Sequence, residues 1–311
     1  MTDKKLGIVG EGLWGELLLD LAHKNTGGVL LYRTGEMSAE GAEEVDGLEA
    51  LGARCRLIMI ATTFETLPRV ASELGDHLKG HHRLVHTLQG LECGTGRRAS
   101  EILRAMTPVR QVGALVGPFY PAMYHGGQPC GAIAGSEFPE VIGEVQKMLA
   151  KDRLRVYGSR DLRGVELAAA AVQVFAVAFG FAEKMGYGAS VRGMLMARGL
   201  AELSRLVEIC GGSPRTAFGM AGLGSLVSQV EAPGSTAYQL GVQLSAGEGG
   251  VDLLKGKVAS EVAETSVWLS RKASACGVEA HITSAVSRLL SGEMAVDAVL
   301  GELFALRQMM E

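Results

Sequence analysis

Lys5-Leu-Gly-Ile-Val-Gly-Glu-Gly-Leu-Trp-Gly15 is the stretch that decides the fold. Gly10, Gly12 and Gly15 place a G-x-G-x-x-G turn between a short apolar run, Leu6 to Val9, and an apolar helical pattern, Trp14 to Ala22. Strand, turn and helix together turn a weak motif into the expectation of a dinucleotide site. The first glycine permits the tight turn, the second lets backbone approach a pyrophosphate, and the third lets the helix pack close to the strand. The candidate cofactor-binding residues are therefore Gly10, Gly12, Leu13, Trp14 and Gly15, with phosphate held by N–H groups at the helix start. Glu11 sets a carboxylate beside those phosphates, where it suits the bare helix dipole but repels a bound anion.

Working outward, aliphatic or β-branched runs recur at Val29 to Tyr32, Leu57 to Ala61, Leu84 to Thr87 and Gly131 to Ala134. Helical patterns alternate with them, Phe64 to Leu74 among these. That alternation predicts an α/β fold, a Rossmann-like doubly wound parallel sheet. Strand signals stop near Tyr157-Gly-Ser-Arg-Asp161, and an almost wholly helical pattern follows, broken by glycine-rich loops at Gly219 to Gly224 and Gly247 to Gly250. The expected domains are residues 1–160, binding the dinucleotide, and 161–311, all-helical, for substrate and dimerisation. Val165 to Gly180 is apolar on every side and reads as a central buried helix whose small residues admit a close neighbour. Glu166 and Gln173 are its polar exceptions and need partners. Arg198 and Glu202, four apart on a later helix, have the spacing of a pair.

Composition narrows the function. A chain of 311 residues, 47% of them hydrophobic, carries two cores, and its formal net charge of -4 gives no general attraction to nucleic acid or anionic membrane. Cys55, Cys93, Cys130, Cys210 and Cys276 are odd in number and lack a C-x-x-C pair, so neither a disulfide framework nor a zinc site is expected. Met1-Thr-Asp-Lys-Lys5 leads into a strand without a signal-peptide pattern, and the expected location is cytoplasmic. His77, His81 and His82 read as a solvated turn without a metal-ligand set. Arg33, ending Leu30-Leu-Tyr-Arg33, is a further cofactor candidate placed to meet an adenosine ribose or a 2′-phosphate; with Glu36 close by, NAD and NADP both stay open.

Further segments follow the glycine turn in order: Gln89-Gly-Leu-Glu92, Gly117-Pro118, Arg155-Val-Tyr157, Gly164-Val-Glu-Leu167, Arg198-Gly-Leu-Ala-Glu202, Ala221-Gly-Leu-Gly224 and Val278-Glu-Ala-His-Ile282. With Gly10-Glu-Gly-Leu-Trp-Gly15 they make the chain resemble bacterial NAD(P)-dependent glycerol-3-phosphate dehydrogenases. The resemblance implies a nucleotide domain, a helical substrate domain, an active site between them, a nicotinamide cofactor and a homodimer. It also exposes departures. Where the family has an active-site lysine before Gly-Leu-Glu, Gln89 stands; where it has Lys-Asn in the central helix, Val172 and Gln173 stand. The aspartate after Gly-Leu-Gly is Ser225, and the Ser-Arg-Asn segment aligns with Ser235-Thr-Ala237. The small serine after Gly-Pro is Phe119, followed by Tyr120 and Pro121.

Oxidising an alcohol by hydride transfer needs a group to take the hydroxyl proton, and valine cannot. Loss of a general acid/base is worth about 10² to 10⁴ in rate, or roughly 3 to 5 kcal/mol. Losing arginine removes a bidentate phosphate partner. Gln89, Tyr120 and His125 are the catalytic candidates that remain, in loops after strands of the nucleotide domain. Two functions follow from the sequence. One is an NAD(P)-dependent oxidoreductase with an altered small-molecule substrate; the other is a catalytically inactive homologue that binds, senses or assembles with a protein partner.

Overall fold

The computed structural model describes residues 5–23, 28–119, 121–150, 153–231, 235–246 and 256–294, with single positions at 298 and 301. Its strands are β1 (Lys5–Gly10), β2 (Val29–Arg33), β3 (Glu43–Glu44), β4 (Cys55–Ala61), β5 (Arg83–His86), β6 (Gln111–Val116), β7 (Cys130–Ser136) and β8 (Leu154–Ser159). The first six helices are α1 (Gly12–His23), α2 (Leu48–Arg54), α3 (Leu67–Gly75), α4 (Ala99–Met106), α5 (Pro121–His125) and α6 (Pro139–Leu149). The rest are α7 (Leu162–Lys184), α8 (Ala189–Ile209), α9 (Ser225–Glu231), α10 (Thr236–Ser245), α11 (Lys257–Ala275) and α12 (His281–Leu290).

The eight strands form one sheet in the order β3-β2-β1-β4-β5-β6-β7-β8. All neighbours run parallel except β6 and β7, which pair antiparallel from Gly113 opposite Ser136 to Val116 opposite Ile133. The doubly wound parallel sheet expected from the sequence is present, with β6 and β7 as its one antiparallel pair among the described strands. Side chains alternate across the sheet with the period of two that strands impose. On β4, Leu57, Met59 and Ala61 enter one core with Leu17, Leu18 and Val145, whereas Ile58 and Ile60 enter the other with Val70 and Ile102. Chain order reverses at β1, where β2 lies on one side and β4 on the other, and that crevice is where open α/β sheets bind ligands.

Two compact units emerge, residues 1–89 with 97–166, and residues 90–96 with 167–311. The short segment 90–96 joins the second unit through its own contacts. The Leu91 N–H donates to Thr265 Oγ1 at 3.2 Å, and Gly96 stands so close to Trp268 that a Cβ there would overlap the indole. In the second unit, α7 has the length and apolarity to cross a bilayer, yet 94% of its most apolar window is buried within the protein. Its neighbour is α10, and the two backbones nearly touch. A Cβ on Gly180 would strike the Tyr238 carbonyl oxygen, and one on Gly241 would strike that of Val177. Glycine at both positions is what allows this approach.

Two expectations change. The helix read as Phe64 to Leu74 begins at Leu67, with Pro68 in its first turn, where a missing N–H costs nothing. The loop expected at Gly219 to Gly224 is in fact a wide helical turn, Met220–Gly224, closed by the Gly224 N–H on the Gly219 carbonyl at 3.1 Å. The glycine run at residues 247–250 lies outside the described residues.

Candidate functional site

The glycine turn sits where β1 passes into α1. Gly12 adopts φ +63°, and a Cβ there would have nothing within 4 Å, so the backbone faces open space. Gly10 and Gly15 meet closely, the Gly15 Cα standing 3.4 Å from where a Gly10 Cβ would be. A Cβ on Gly15 would lie 2.8 Å from Met37 Sδ, in the segment after β2. In the first turn of α1 the leading N–H groups lack a carbonyl one turn earlier. That of Gly12 donates to the Glu36 carbonyl at 2.9 Å, which leaves those of Leu13 and Trp14 to receive an anion. Residues and backbone here fit a dinucleotide's pyrophosphate: an open, glycine-floored turn and two N–H donors at the start of a 12-residue helix.

Glu11 does not stand alone. Its N–H donates to the Ala61 carbonyl at 3.0 Å, and its carboxylate accepts from Thr62 Oγ1 at 2.9 Å. Arg33 points to Glu44, Nε to Oε1 at 2.5 Å, with Nη1 also 3.5 Å from the Met37 carbonyl. Trp14 packs edge-on against Phe119, ring centroids 5.0 Å apart at 82°. Phe119, fully buried, therefore braces the helix that carries the glycine turn.

Of the three catalytic candidates, His125 and Gln89 fall among the described residues. His125 ends α5, where its Nδ1 lies 3.3 Å from Asp20 Oδ2 and both side chains are about half exposed. It lines a hollow of about 320 Å³ with Glu16, Asp20, Ser38 and Glu40. Asp20 is eight residues beyond Gly12, or about 12 Å along the helix. Gln89 is half-buried three residues past β5 and engaged in contacts of its own. Tyr120 lies outside the described residues.

Sequence reading missed a buried polar cluster in the first unit. Glu166, 2% exposed at the start of α7, accepts from Arg98 Nη1 at 2.8 Å, from the Ser100 N–H at 2.9 Å and from Ser100 Oγ at 2.6 Å. His86 Nε2 stands 3.0 Å from Glu166 Oε1, the oxygen that also accepts the Ser100 N–H. Burial pushes the Glu166 carboxyl up, but His86, Arg98 and Ser100 together outweigh it and hold the group below the usual carboxylate range. His82 is a second correction to the expected solvated turn. It is 2% exposed and spans Lys79 and Gly52, its Nδ1 accepting the Lys79 N–H at 2.8 Å and its Nε2 lying 2.9 Å from the Gly52 carbonyl. His77 and His81 are exposed, and among the described residues no cluster of three or more His, Cys, Asp or Glu side chains is placed to hold a metal. Burial also pushes the Cys55 thiol up to about 11, so it is no thiolate at neutral pH.

In the second unit the divergent positions gather around neutral groups. Val172 is fully buried in α7 and offers no polar atom. Its neighbour Gln173 lies with Oε1 3.5 Å from Gln229 Nε2 of α9, and Ser235 donates its hydroxyl to Gln229 Oε1. Ser235 also caps α10, accepting the Tyr238 N–H at 3.2 Å. Ser225 spends its hydroxyl on the Met220 carbonyl at 2.9 Å. Gln229, fully buried, is the residue that sequence reading did not single out, and it joins two that it did.

The family domains described as NAD-dependent glycerol-3-phosphate dehydrogenase N-terminus and C-terminus match residues 42–141 and 161–301. The chain is 32% identical to the glycerol-3-phosphate dehydrogenase [NAD(P)+] of Azorhizobium caulinodans, across 99% of this chain and 98% of that relative. It belongs to the NAD(P)-dependent glycerol-3-phosphate dehydrogenase family. The Gloeobacter violaceus enzyme of the same name is 30% identical over 93% of this chain and 92% of its own. The fold agrees as well. The crystal structure of glycerol-3-phosphate dehydrogenase from Coxiella burnetii superposes with a TM-score of 0.86, at 23% identity, over 98% of this chain and 99% of that one. Membership implies a nicotinamide cofactor, to which the open glycine turn is suited.

Proposed function

We propose that this member of the family is a nicotinamide-dependent oxidoreductase whose substrate is less anionic than glycerol 3-phosphate. The observation that carries the reading is the fully buried, apolar Val172 where the family resemblance implies a lysine, followed by Gln173, which meets the neutral side chains of Gln229 and, through it, Ser235. Amide and hydroxyl groups hold a ligand's hydroxyls by neutral hydrogen bonds, without the charge that a phosphate demands. The pyrophosphate would rest on the Leu13 and Trp14 N–H groups, and the adenosine half would lie toward the end of β2, which Arg33 closes. Bound nicotinamide supplies hydride transfer. Tyr120 and His125 are the candidates for moving the hydroxyl proton, and Gln89 for a hydrogen bond to the ligand. The protein is read as a cytoplasmic homodimer acting on a small molecule, with no nucleic-acid or membrane partner.

Fluorescence titration with NADH and NADPH, followed by reduction assays on dihydroxyacetone phosphate and on neutral hydroxyketones, tests this. Turnover of a neutral hydroxyketone with little or none of the phosphate is the expected result. Ordinary turnover of dihydroxyacetone phosphate by the unmodified chain would overturn the altered substrate. Gln89→Lys with Val172→Lys should raise turnover of that phosphate by restoring a proton-transfer group, provided thermal melts show the variant folded. A second reading is favoured by the fully buried Val172 side chain and by the Gly12 N–H already spent on Glu36: an inactive homologue that binds, senses or joins a protein partner. Failure of the folded protein to bind either dinucleotide would favour it.

A further inference from the structure

The crevice at the end of β1 holds a carboxylate that neither the fold nor the proposed hydride transfer requires. Glu11 projects from the glycine turn, between residues that follow the two flanking strands. On the β4 side, Thr62 Oγ1 donates to it at 2.9 Å. On the β2 side, Glu11 Oε2 lies 2.5 Å from where a Cβ on Gly35 would stand, so the missing side chain at position 35 makes room for it. Thr34 and Thr62 close the gap between those sides, their hydroxyls 3.4 Å apart. The side chain is thus held at the end of β2 although it comes from the end of β1.

In a doubly wound sheet, the end of the second strand is where a dinucleotide's adenosine ribose lies. An acidic side chain there accepts the ribose hydroxyls of NAD, and a cation accommodates the 2′-phosphate of NADP. The cation at this strand end, Arg33, is paired with Glu44 and turned toward the Met37 carbonyl. A carboxylate has about four lone-pair positions, and Thr62 uses one of those on Glu11. We infer that Glu11 accepts the adenosine ribose hydroxyls of the cofactor and makes the site select NAD(H) over NADP(H). The inference rests on the proposed nicotinamide site and adds its specificity. A 2′-phosphate would set like charge against the Glu11 carboxylate in a half-buried crevice, which is a strong source of discrimination. Thr62 and Gly35 are positioning residues, the first by its hydrogen bond and the second by its lack of a side chain.

The test is a pair of dissociation constants, for NADH and NADPH, measured by fluorescence titration on the full chain and on Glu11→Gln, Thr62→Val and Glu36→Gln. The unmodified chain should bind NADH about tenfold or more tightly than NADPH, and Glu11→Gln should bring the two within about threefold, chiefly by tightening NADPH. Thr62→Val should narrow the ratio less, and Glu36→Gln should leave it in place. A preference for NADPH in the unmodified chain overturns the inference, as does a ratio that Glu36→Gln abolishes and Glu11→Gln spares. Equal tightening of both dinucleotides by Glu11→Gln also overturns it, because that pattern is plain repulsion of the shared pyrophosphate. Binding of neither dinucleotide to a chain shown folded by its thermal melt is a separate outcome, which overturns the nicotinamide site itself and this assignment with it.

Discussion

Glu166 in the first unit and Glu202 in the second are both 2% exposed, yet they are held in opposite ways. Glu166 has a guanidinium, an imidazole and a serine around it. Glu202, on α8, has neutral donors at the start of α12: the Ile282 N–H at 2.9 Å, the Thr283 N–H at 2.8 Å and Thr283 Oγ1 at 2.6 Å. The consequence is opposite charge chemistry. Partners hold the Glu166 carboxyl low against its burial, whereas burial pushes the Glu202 carboxyl up and the hydrogen bonds of Thr283 and Ile282, with a smaller pull from Arg205, only partly offset it. The Gln173, Gln229 and Ser235 group extends the neutral pattern of the second unit. The first unit keeps an ionic knot where α7 begins, and the second holds Glu202 by neutral hydrogen-bond donors.

Breaking the knot should have the largest effect. Glu166→Ala strips Arg98 of its buried partner and leaves two Ser100 donors unsatisfied, so a loss of about 3–5 kcal/mol in urea unfolding is expected. A loss below about 1 kcal/mol would mean that Arg98 finds solvent or Glu101 sufficient, since it already reaches Glu101 Oε1 at 2.6 Å.

The pH dependence sharpens the contrast. For Glu166 the unfolded chain binds more protons, so its contribution is complete above the ordinary glutamate range near 4.5 and drains away as pH falls through its lower folded value. The deficit of Glu166→Gln should therefore be full at neutral pH and shrink in acid. For Glu202 the folded chain binds more protons, so stability is present below about 4.5 and is lost as pH rises through its higher folded value. The deficit of Glu202→Gln should narrow as pH rises. Chemical denaturation of both variants at several pH values checks this, and deficits that move in the same direction would break the comparison.

What the sequence made legible follows from range. The glycine turn, the strands beside it and the apolar helix from Val165 are local patterns, and they stand where periodicity and turn chemistry put them. Glu166 and Gln173 were visible as polar intrusions in an apolar helix, but their partners were not. Arg98 and Ser100 lie 68 and 66 residues upstream of Glu166, and Gln229 lies 56 residues downstream of Gln173. No spacing rule reaches that far. β6 went unread because Gln111-Val-Gly-Ala-Leu-Val116 has neither alternation nor helical spacing, and its reversed partner β7 made the sheet mixed. His82 looked solvated beside exposed His77 and His81, and the Gly52 carbonyl it meets is 30 residues away. At the site the motif gave the turn but not the direction of Glu11, which depends on Thr62 and Gly35 from two other connections.

The smallest effect tests the neutral side of the comparison. Thr283→Val keeps the size and branching of the side chain while removing the hydroxyl that donates to Glu202 Oε1. The Thr283 and Ile282 N–H groups remain, so the carboxyl keeps two donors and α12 keeps its distant cap. The expected loss is about 1 kcal/mol, the net worth of one hydrogen bond rather than of a buried charge. Its pH dependence carries the argument further. The hydroxyl bond favours the ionised form, so its removal should raise the Glu202 folded pKa still higher and make the variant lose stability more steeply with rising pH than the parent. An unchanged slope would mean that the backbone donors alone govern this carboxyl, and the helix start would then be the partner that replaces a counter-charge.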